Sequence, residues 1–478
     1  MEYAERVRSL GREEMIEELL KALEDLEALK ADLRKTREQL KSLMAENAEL
    51  KRARHRPSVP FSKNKGKDKP KRPGRRPGKG KFTNRAKPKT DGPAHDVGVS
   101  AGQCPDCAGA FEADGFEEVS IEDVPPIPEP ETRVFRMQIC KCVNCGKRVR
   151  ACHPDVPADQ TGATAHRMGP RIKAVALVLH YGVGVPLRRV PGILATLTGI
   201  KVTQSAITQL ALTEVSRGIT PVVYDQLRAG VADSPRVFTD DTGWSVNRQT
   251  AYVMGFETDD ASIFQIRPQH RNEEVREVIP ADYKGVVNCD RGPSYEAKEL
   301  ARLQQQKCHS HIDRNLAESM EKQPPQARVI GRKLRGLLAG ARAIHKKLRA
   351  GEMDRVTFDK QGEVIDRDVT YLLRDRAVSD PENQKIINEI GVQHDRGHLL
   401  RFLKNPAVDP TNNQAERMLR DIVIARKVSQ CSKTWDGANA CAMFKSLHRT
   451  MARRGMDVIE GFVSVLTGTN PLAPNNSS

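Results

Sequence analysis

Short runs of β-forming residues alternate with helical patterns between residues 235 and 314. β-branched and aromatic residues clustered between turn residues predict five strands, at residues 236–239, 250–256, 262–266, 285–288 and 307–311. Helical patterns at residues 272–278 and 294–304 precede the fourth and fifth strands. The order of three consecutive strands, helix, strand, helix and strand predicts one sheet with flanking helices.

Helical patterns dominate the segments on both sides of these strands. Residues 187–197, a Gly-containing turn at 198–200 and residues 203–210 predict a helix-turn-helix whose second helix would contact DNA. A purely structural helical pair fits equally well, because few basic residues lie on that second helix. Helix formers at residues 327–348 and 382–403 predict a mainly helical insertion, whose basic faces would either cover DNA or face solvent.

A heptad pattern occupies the first fifty residues. One seam position holds Leu19, Leu26, Leu33, Leu40 and Asn47, and the second holds Met15, Ala22, Leu29, Thr36, Leu43 and Leu50. This pattern predicts a coiled coil, and a polar Asn at an a position is typical of parallel dimers. A single amphipathic helix that folds back on the rest of the chain is the alternative.

The formal net charge of +16 is concentrated in one stretch. Residues 51–90 contain 17 Lys and Arg residues and one acid, Asp68. Because Pro and Gly abound and apolar residues are scarce, we expect a disordered segment that binds phosphate backbones without sequence preference. A solubilising or targeting tail is the alternative. The DNA-binding candidates are Lys69, Lys71, Arg72, Arg75 and Arg76.

The length of 478 residues predicts about three domains with linkers. Neither the apolar core of a signal peptide nor a run long enough for a membrane span is found. We therefore expect a soluble, cytoplasmic and nucleoid-associated protein without membrane contact.

Cysteines cluster between Cys104 and Cys152, where six of the ten lie. Four of them form two C-x-x-C pairs, separated by a β-like run at residues 132–139. Such paired knuckles provide four thiolates for tetrahedral Zn²⁺, which predicts a zinc ribbon with a structural metal. The expected ligands are Cys104, Cys107, Cys142 and Cys145, with Cys140 as an alternative to Cys142. The remaining cysteines are expected to be buried thiols.

Three acids occupy related places in the predicted elements. Asp240 and Asp290 follow the first and fourth strands, and Glu416 lies in a segment that begins like a helix. Carboxylates on neighbouring strand ends and a packed helix can converge, and a divalent cation relieves their repulsion. Two such cations can hold the attacking and leaving oxygens of phosphoryl transfer. Helix caps and solvated turns are the ordinary alternative.

Several motifs together resemble the transposases of the insertion sequence 66 family. The Asn-Asn-x-Ala-Glu-Arg run at residues 412–417 is the most specific of them. The others are Thr239-Asp240-Asp241-Thr242, Asp290 with Tyr295, Cys308-x-x-His311, Arg420, Arg426-Lys427 and Gly437. The resemblance covers nearly the whole chain. It implies a coiled coil, a zinc domain, a helical region and a ribonuclease-H-like DDE catalytic domain, in this order.

The expected fold class is a multidomain α+β protein. Its predicted parts are a coiled-coil helix (1–53), a disordered basic linker (54–93), a zinc-ribbon-like domain (94–155) and a helix-turn-helix-like domain (160–230). A ribonuclease-H-like catalytic domain follows at 235–315 and 406–450, with a helical insertion at 316–405. A C-terminal helix and tail complete the chain at 451–478.

The resemblance also implies roles for individual residues. Asp240, Asp290 and Glu416 would be the catalytic acids and would bind two Mg²⁺ ions, with Mn²⁺ as a substitute. The family pattern selects Asp240 rather than Asp241 as the first ligand. His311 would orient a phosphate or water, or would be a structural histidine. Further supporting residues are Asp241, Asn413, Arg417 and Arg420, and Arg426 and Lys427 join the DNA-binding candidates.

The expected function is cleavage of DNA at the ends of an insertion sequence and joining of those ends to target DNA. The expected partners are double-stranded DNA, further copies of the chain through the coiled coil, and small accessory proteins of the same element. A transposase-derived zinc-ribbon regulator is one alternative, but it would not need the intact acids. A structure-specific nuclease of the same fold, which cuts DNA without joining it, is the other.

Overall fold

The computed structural model describes residues 11–54, 95–98, 102–112, 114–116, 129–153, 168–297 and 299–473. The chain forms two compact units. The first comprises Met1–Ser62, Arg136–Pro191 and Val202–Ser478, and the second comprises Lys63–Phe135 and Gly192–Lys201.

One long helix, α1 (Arg12–Arg54), begins the described chain. It contains neither Pro nor Gly, the two residues that most disfavour a helix interior. The seam leucines at residues 19–43 are open to solvent, since Leu19, Leu26 and Leu33 expose 59%, 49% and 58% of their surface. Pairing through this seam stays a prediction. Among the described residues, no helix combines the length and apolar character that a membrane span requires.

Two short strands flank the second cysteine pair. Strand β1 (Ile139–Lys141) pairs antiparallel with β2 (Arg148–Arg150), and the turn between them carries Cys142 and Cys145. The prediction of a strand at residues 132–139 is wrong in position, because the described ladder begins at Ile139. Just outside this ladder, the Ala151 amide still donates to the Gln138 carbonyl at 2.9 Å.

The helical region that follows contains α2 (Pro170–Leu177), which continues through a π-helical turn at Val178–Gly182, and then α3 (Val190–Thr198), α4 (Gln204–Arg217) and α5 (Thr220–Ala229). The predicted helix, turn and second helix correspond to α3, Gly199 with a φ of +70°, and α4. Thr203 caps α4, since its hydroxyl accepts a hydrogen bond from the Ala206 amide at 3.2 Å. DNA contact by α4 stays a prediction.

A mixed sheet of five strands follows: β3 (Arg236–Val246), β4 (Gln249–Glu257), β5 (Ser262–Arg267), β6 (Val286–Cys289) and β7 (Gln304–Lys307). Their order across the sheet is β5-β4-β3-β6-β7. The first three strands form an antiparallel meander, and β6 and β7 add in parallel beside β3. The short helix α6 (Asn272–Arg276) precedes β6. The element order agrees with the sequence prediction.

Three predicted boundaries in this region are wrong. Strand β3 continues to Val246, because it pairs with β4 along its whole length through a tight turn at Asn247 and Arg248, both with positive φ. The helix predicted at residues 294–304 is shortened to α7 (Pro293–Glu296). The strand predicted at residues 307–311 is β7 instead, because residues 304–307 pair with β6. Cys308 then caps the helix α8 (His309–Lys322).

Helices fill the interval of the predicted insertion. They are α9 (Val329–Arg349), α10 (Arg355–Leu373), α11 (Pro381–Asp395) and the short α12 (Arg401–Lys404). Together with α8 they enclose their own apolar core, which includes Leu334, Leu338, Phe358 and Phe402. Buried apolar residues recur on one face of α9, which explains why this segment is helical.

The chain returns to the sheet through α13 (Asn413–Ser429), α14 (Trp435–Arg453) and α15 (Val458–Leu466). Helix α13 packs Met418, Leu419 and Ile422 against the side chains of Trp244 and Val253. The opposite face of the sheet packs on the core that includes Phe256 and residues of α2, α4, α5 and α14. Helix α13 therefore brings Glu416 over one defined face of the sheet.

Candidate catalytic site

Asp240 lies in the middle of β3 rather than at its end, where the sequence placed it. It pairs with Gly255 of β4, and paired residues of an antiparallel ladder point to the same face. A Cβ atom on Gly255 would lie 3.2 Å from Leu419 and 3.3 Å from Met418, so α13 covers this face closely. The Asp240 side chain therefore projects to the face that carries Glu416.

Asp241 projects to the other face, because successive side chains of a strand alternate. Its carboxylate lies 2.7 Å from Nδ1 of His270, and the His270 ring stacks on Tyr252 at 3.9 Å between centroids. The hydrogen bond to Asp241 raises the pKa of His270 above its ordinary value. Asp241 thus has a hydrogen-bond partner of its own on the other face, which supports Asp240 as the acid of the shared face.

Asp290 directly follows β6. Since Asn288 pairs with Phe238 in the parallel ladder, Asn288 shares the face of Asp240 by alternation, and Asp290 lies two positions further on, just after the strand. Oδ1 of Asp290 accepts a hydrogen bond from the Gly292 amide at 2.8 Å. A Cβ at Gly292 would meet this same oxygen at 2.9 Å, so a residue without a side chain suits this turn.

A buried lysine fixes the main chain at Asp290. Lys307 is fully buried at the end of β7, and its Nζ donates to the Asp290 carbonyl at 3.1 Å. It also lies 2.6 Å from Glu296 Oε1. Glu296 in turn accepts hydrogen bonds from Gln393 at 2.9 Å and Arg396 at 2.8 Å. The helical insertion is thereby connected to the loop that carries the second acid.

Glu416 lies in the first turn of α13, and the residue before that helix anchors it. Asn412 is completely buried, and its side-chain amide donates to the Thr239 carbonyl at 2.8 Å. The backbone amide of Asn412 donates to the Cys308 thiol at 3.2 Å. A second buried amide, Asn288, donates to the Asp409 carbonyl at 2.6 Å. These bonds hold the start of α13 against β3 and β6.

Cys308 and His311 lie beside Glu416. Nδ1 of His311 is 3.7 Å from Oε1 of Glu416. Burial opposes ionisation of the Cys308 thiol, but the nearby His311 imidazole and backbone amides lower its pKa below the ordinary value. The thiol in turn raises the pKa of His311, and the charges of Asp240 and Glu416 act in the same direction.

The electrostatics favour a bound cation. Burial raises the pKa of Asp240 from its ordinary 3.8 to about 7, opposed by a hydrogen bond from the Asp241 amide, while the Asp290 and Asp241 charges raise it further. Oε1 of Glu416 is a buried oxygen that receives no hydrogen bond from any described residue. These carboxylate oxygens are the hard donors that Mg²⁺ prefers, so the residues fit magnesium. Asp240 and Asp290 nonetheless lie outside the tightest donor cluster of the described residues, which is Cys308, His311 and Glu416.

A cavity of about 520 Å³ opens beside Asp290 and His311. Its remaining walls come from the α7 segment and from the insertion helix α11, through Glu296, Gln393 and Arg396. The insertion therefore borders the candidate site.

The other predicted site residues have varied surroundings. Asn413 is exposed at the first position of α13, whereas the adjacent Asn412 makes the anchoring contacts. Arg417 and Arg420 are exposed on α13, as is Lys427. Arg426 donates to the Gly243 carbonyl, so it binds the main chain of β3. The basic residues Lys69, Lys71, Arg72, Arg75 and Arg76 lie outside the described residues.

The two cysteine pairs adopt the same local turn. The Cys104 amide donates to the Gly109 carbonyl and the Ala108 amide to the Cys104 carbonyl, both at 2.9 Å. In the second pair the Cys142 amide donates to the Lys147 carbonyl at 2.8 Å, and the Gly146 amide donates to the Cys142 carbonyl at 2.9 Å. Backbone amides lower the pKa of both Cys104 and Cys142. Each turn thus presents a thiol suited to a metal, and zinc binding stays a prediction.

Sequence reasoning missed three residues that shape the site. Lys307 and His270 gave no signal, since an isolated Lys or His carries no motif. Asn412 belongs to the quoted motif, but the adjacent Asn413 was chosen, and only burial distinguishes the two.

Comparison with known proteins adds one finding. A family model described as "Transposase IS66 family" matches residues 166–440, which is more than half of the chain. The matched range includes β3, β6 and α13 with all three acids. A search of curated proteins gave no match.

Proposed function

Because the chain belongs to the IS66 family of transposases, we propose that it cuts the ends of an insertion sequence and joins them to target DNA at Asp240, Asp290 and Glu416. The observation that carries the proposal is the shared face of the sheet. Asp240 points to it from β3, Asp290 directly follows the adjacent strand β6, and Glu416 lies in the first turn of α13, which packs on the same face. The charge of Asp290 acts on Asp240, and the charges of Asp240 and Glu416 act on His311, which supports the closeness that a phosphodiester-processing site requires.

Asp240, Asp290 and Glu416 would hold two Mg²⁺ ions, with Mn²⁺ as a substitute. When bound, the ions would supply charge stabilisation for the attacking and leaving oxygens. The raised pKa of Asp240 and the unpartnered Oε1 of Glu416 support this assignment.

The chain's own residues would orient the reacting groups. The Gly292 amide and the Lys307 contact hold Asp290 in place, and the Asn412 bond to Thr239 sets the distance of α13 from β3. His311 would hold a proton at the imidazole beside Glu416, or contact the scissile phosphate. Arg417 and Arg420 project from the exposed side of α13 and would contact phosphates of the bound DNA.

Other parts of the chain would bind and organise DNA. We assign the basic segment with Lys69, Lys71, Arg72, Arg75 and Arg76, together with Lys427, to phosphate contact, and α4 to contact with the element ends. Self-association would use α1, whose exposed leucines support it. A structural Zn²⁺ would be held by Cys104, Cys107, Cys142 and Cys145, and a zinc-free purified chain in metal analysis would contradict this. Accessory proteins of the same element are proposed as further partners.

A strand-transfer assay tests the function. The chain is incubated with Mg²⁺, duplexes that carry the terminal repeats of the element, and a circular target. Cleaved ends covalently joined to the target are the expected products. Cleavage without joining would instead indicate a nuclease, and specific binding without cleavage would indicate a regulator.

A further inference from the structure

The tightest cluster of metal-ligating side chains in the described residues mixes three chemical types. It comprises the thiol of Cys308, the imidazole of His311 and the carboxylate of Glu416, whose donor atoms all lie within 4.8 Å of one another. Magnesium takes oxygen ligands almost exclusively. A sulfur, a nitrogen and an oxygen together are instead a ligand set for zinc and for cobalt, which often replaces it.

The fold brings these donors together on two helix starts. Cys308 precedes α8 and His311 lies three positions later, so both point toward the same side of its first turn. Glu416 enters from the first turn of α13. The bond between the Asn412 amide and the Cys308 thiol connects the two helix starts directly. The cluster therefore does not depend on flexible loops.

Two donors of the cluster make no hydrogen bond within the described part of the chain. They are Nδ1 of His311 and Oε1 of Glu416, two buried atoms that lie 3.7 Å apart. Such groups are costly to bury unless something satisfies them. Cys308 is only 1% exposed, whereas the His311 and Glu416 side chains are 27% and 29% exposed. An ion could thus enter from their side and keep one coordination position open to water.

We propose that Cys308, His311 and Glu416 form a binding site for a borderline transition-metal ion, foremost Zn²⁺, and that its occupation withdraws Glu416 from the catalytic magnesium site. Binding converts the thiol to a thiolate and releases its proton. The binding site stands on geometry alone, and the inhibition rests on the proposed transposase function. Zinc would then keep the enzyme inactive while leaving its fold and DNA-binding surfaces intact.

Cobalt binding tests the site independently of catalysis. Co²⁺ is added to the purified full-length chain with its structural zinc retained, and the thiolate-to-cobalt absorption band is recorded. The wild type is expected to bind one more cobalt ion per chain than Cys308→Ser. The control Cys441→Ser, which removes a partly exposed thiol of α14, should match the wild type. Equal cobalt binding and spectra in wild type and Cys308→Ser would overturn the site.

Removing the oxygen donor provides a second test that keeps the thiol. Glu416→Gln should retain the absorption band but weaken cobalt affinity by about 10-fold or more, as loss of a ligating group does. Unchanged affinity would exclude Glu416 from the site.

The inhibition needs a separate measurement. Strand cleavage with Mg²⁺ is measured with and without added Zn²⁺, and the ratio of the two rates is compared between wild type and Cys308→Ser. Zinc should reduce the rate of the wild type far more than that of Cys308→Ser, and excess Mg²⁺ should restore it. Equal reduction in both would overturn the competition. If neither protein cleaves DNA, the proposed function fails, while the cobalt result still decides the site.

Discussion

Replacing Asp240 with Asn should stabilise the metal-free protein at neutral and alkaline pH. Asp240 is a partly buried carboxyl that faces the charges of Asp290 and Asp241, and its pKa is about 7 instead of 3.8. Asn has nearly the same shape and its carbonyl can still accept the hydrogen bond from the Asp241 amide at 2.9 Å. The substitution therefore removes the charge and retains the packing.

The pH dependence follows from the sign of this shift. Below the unfolded value of 3.8 the carboxyl is protonated in both states and costs nothing. Between that value and about 7 the unfolded chain releases a proton that the folded chain keeps, so the wild type loses about 1.4 kcal/mol of stability per pH unit. Above pH 7 the penalty is constant at about 4 kcal/mol, which solvent access to the side chain reduces to about 2–4 kcal/mol.

Urea unfolding followed by tryptophan fluorescence measures this difference. The chain has two tryptophans, and Trp244 is buried within β3 itself. The stability difference between Asp240→Asn and wild type should rise from pH 4 to pH 7 and then level off. Mg²⁺ should stabilise the wild type and leave the variant nearly unchanged.

Asp241→Asn is the matched control, because it should destabilise the fold, and only at acidic pH. The pKa of His270 is raised by Asp241, so that pair stabilises the fold at acidic pH and loses its effect as pH rises through the raised pKa. A stability difference for Asp240→Asn that does not change with pH would refute the assignment of a buried, repelled carboxylate.

Three further substitutions test separate parts of the structure. Asn412→Ala should destabilise the sheet by about 1–3 kcal/mol in urea unfolding, because it leaves the Thr239 carbonyl unpaired, while Asn413→Ala on the exposed neighbour should change little. Equal effects would contradict the anchoring role. Lys307→Met should cost about 3 kcal/mol in the same assay by leaving Glu296 without its buried partner, and a neutral result would contradict it. Leu26→Pro should convert the oligomer to a monomer in sedimentation equilibrium, and an unaffected oligomer would exclude pairing through α1.

The elements of the sheet were predictable because their signals are local. Runs of β-formers and turn residues located all five strands near their observed positions, and Gly199 marked the turn between α3 and α4. Element ends were less predictable because they depend on partners. Strand β3 extends to Val246 because β4 lies beside it, and β1 is confined to the three residues that pair with β2.

In the candidate site, too, the features with local sequence signals were predictable and those that depend on distant partners were not. Sequence motifs selected the three acids, and the family pattern favoured Asp240 over Asp241, but only the alternation of β3 and the contact of Gly255 with α13 show that the two side chains project to opposite faces. The partners that fix the site, such as Lys307 and Asn412, are defined by burial and by contacts across more than a hundred residues of sequence or between adjacent strands. Periodicity and spacing carry no information on such contacts.

The most direct test of the central claim is strand transfer with single substitutions of the three acids. Asp240→Asn, Asp290→Asn and Glu416→Gln are compared with wild type and with Asp260→Asn, which alters an exposed acid in the turn between β4 and β5. We predict that each of the first three lowers cleavage and joining by at least about 100-fold, and that Asp260→Asn retains both. Full strand transfer by Asp290→Asn or Glu416→Gln would contradict the assignment of the catalytic site.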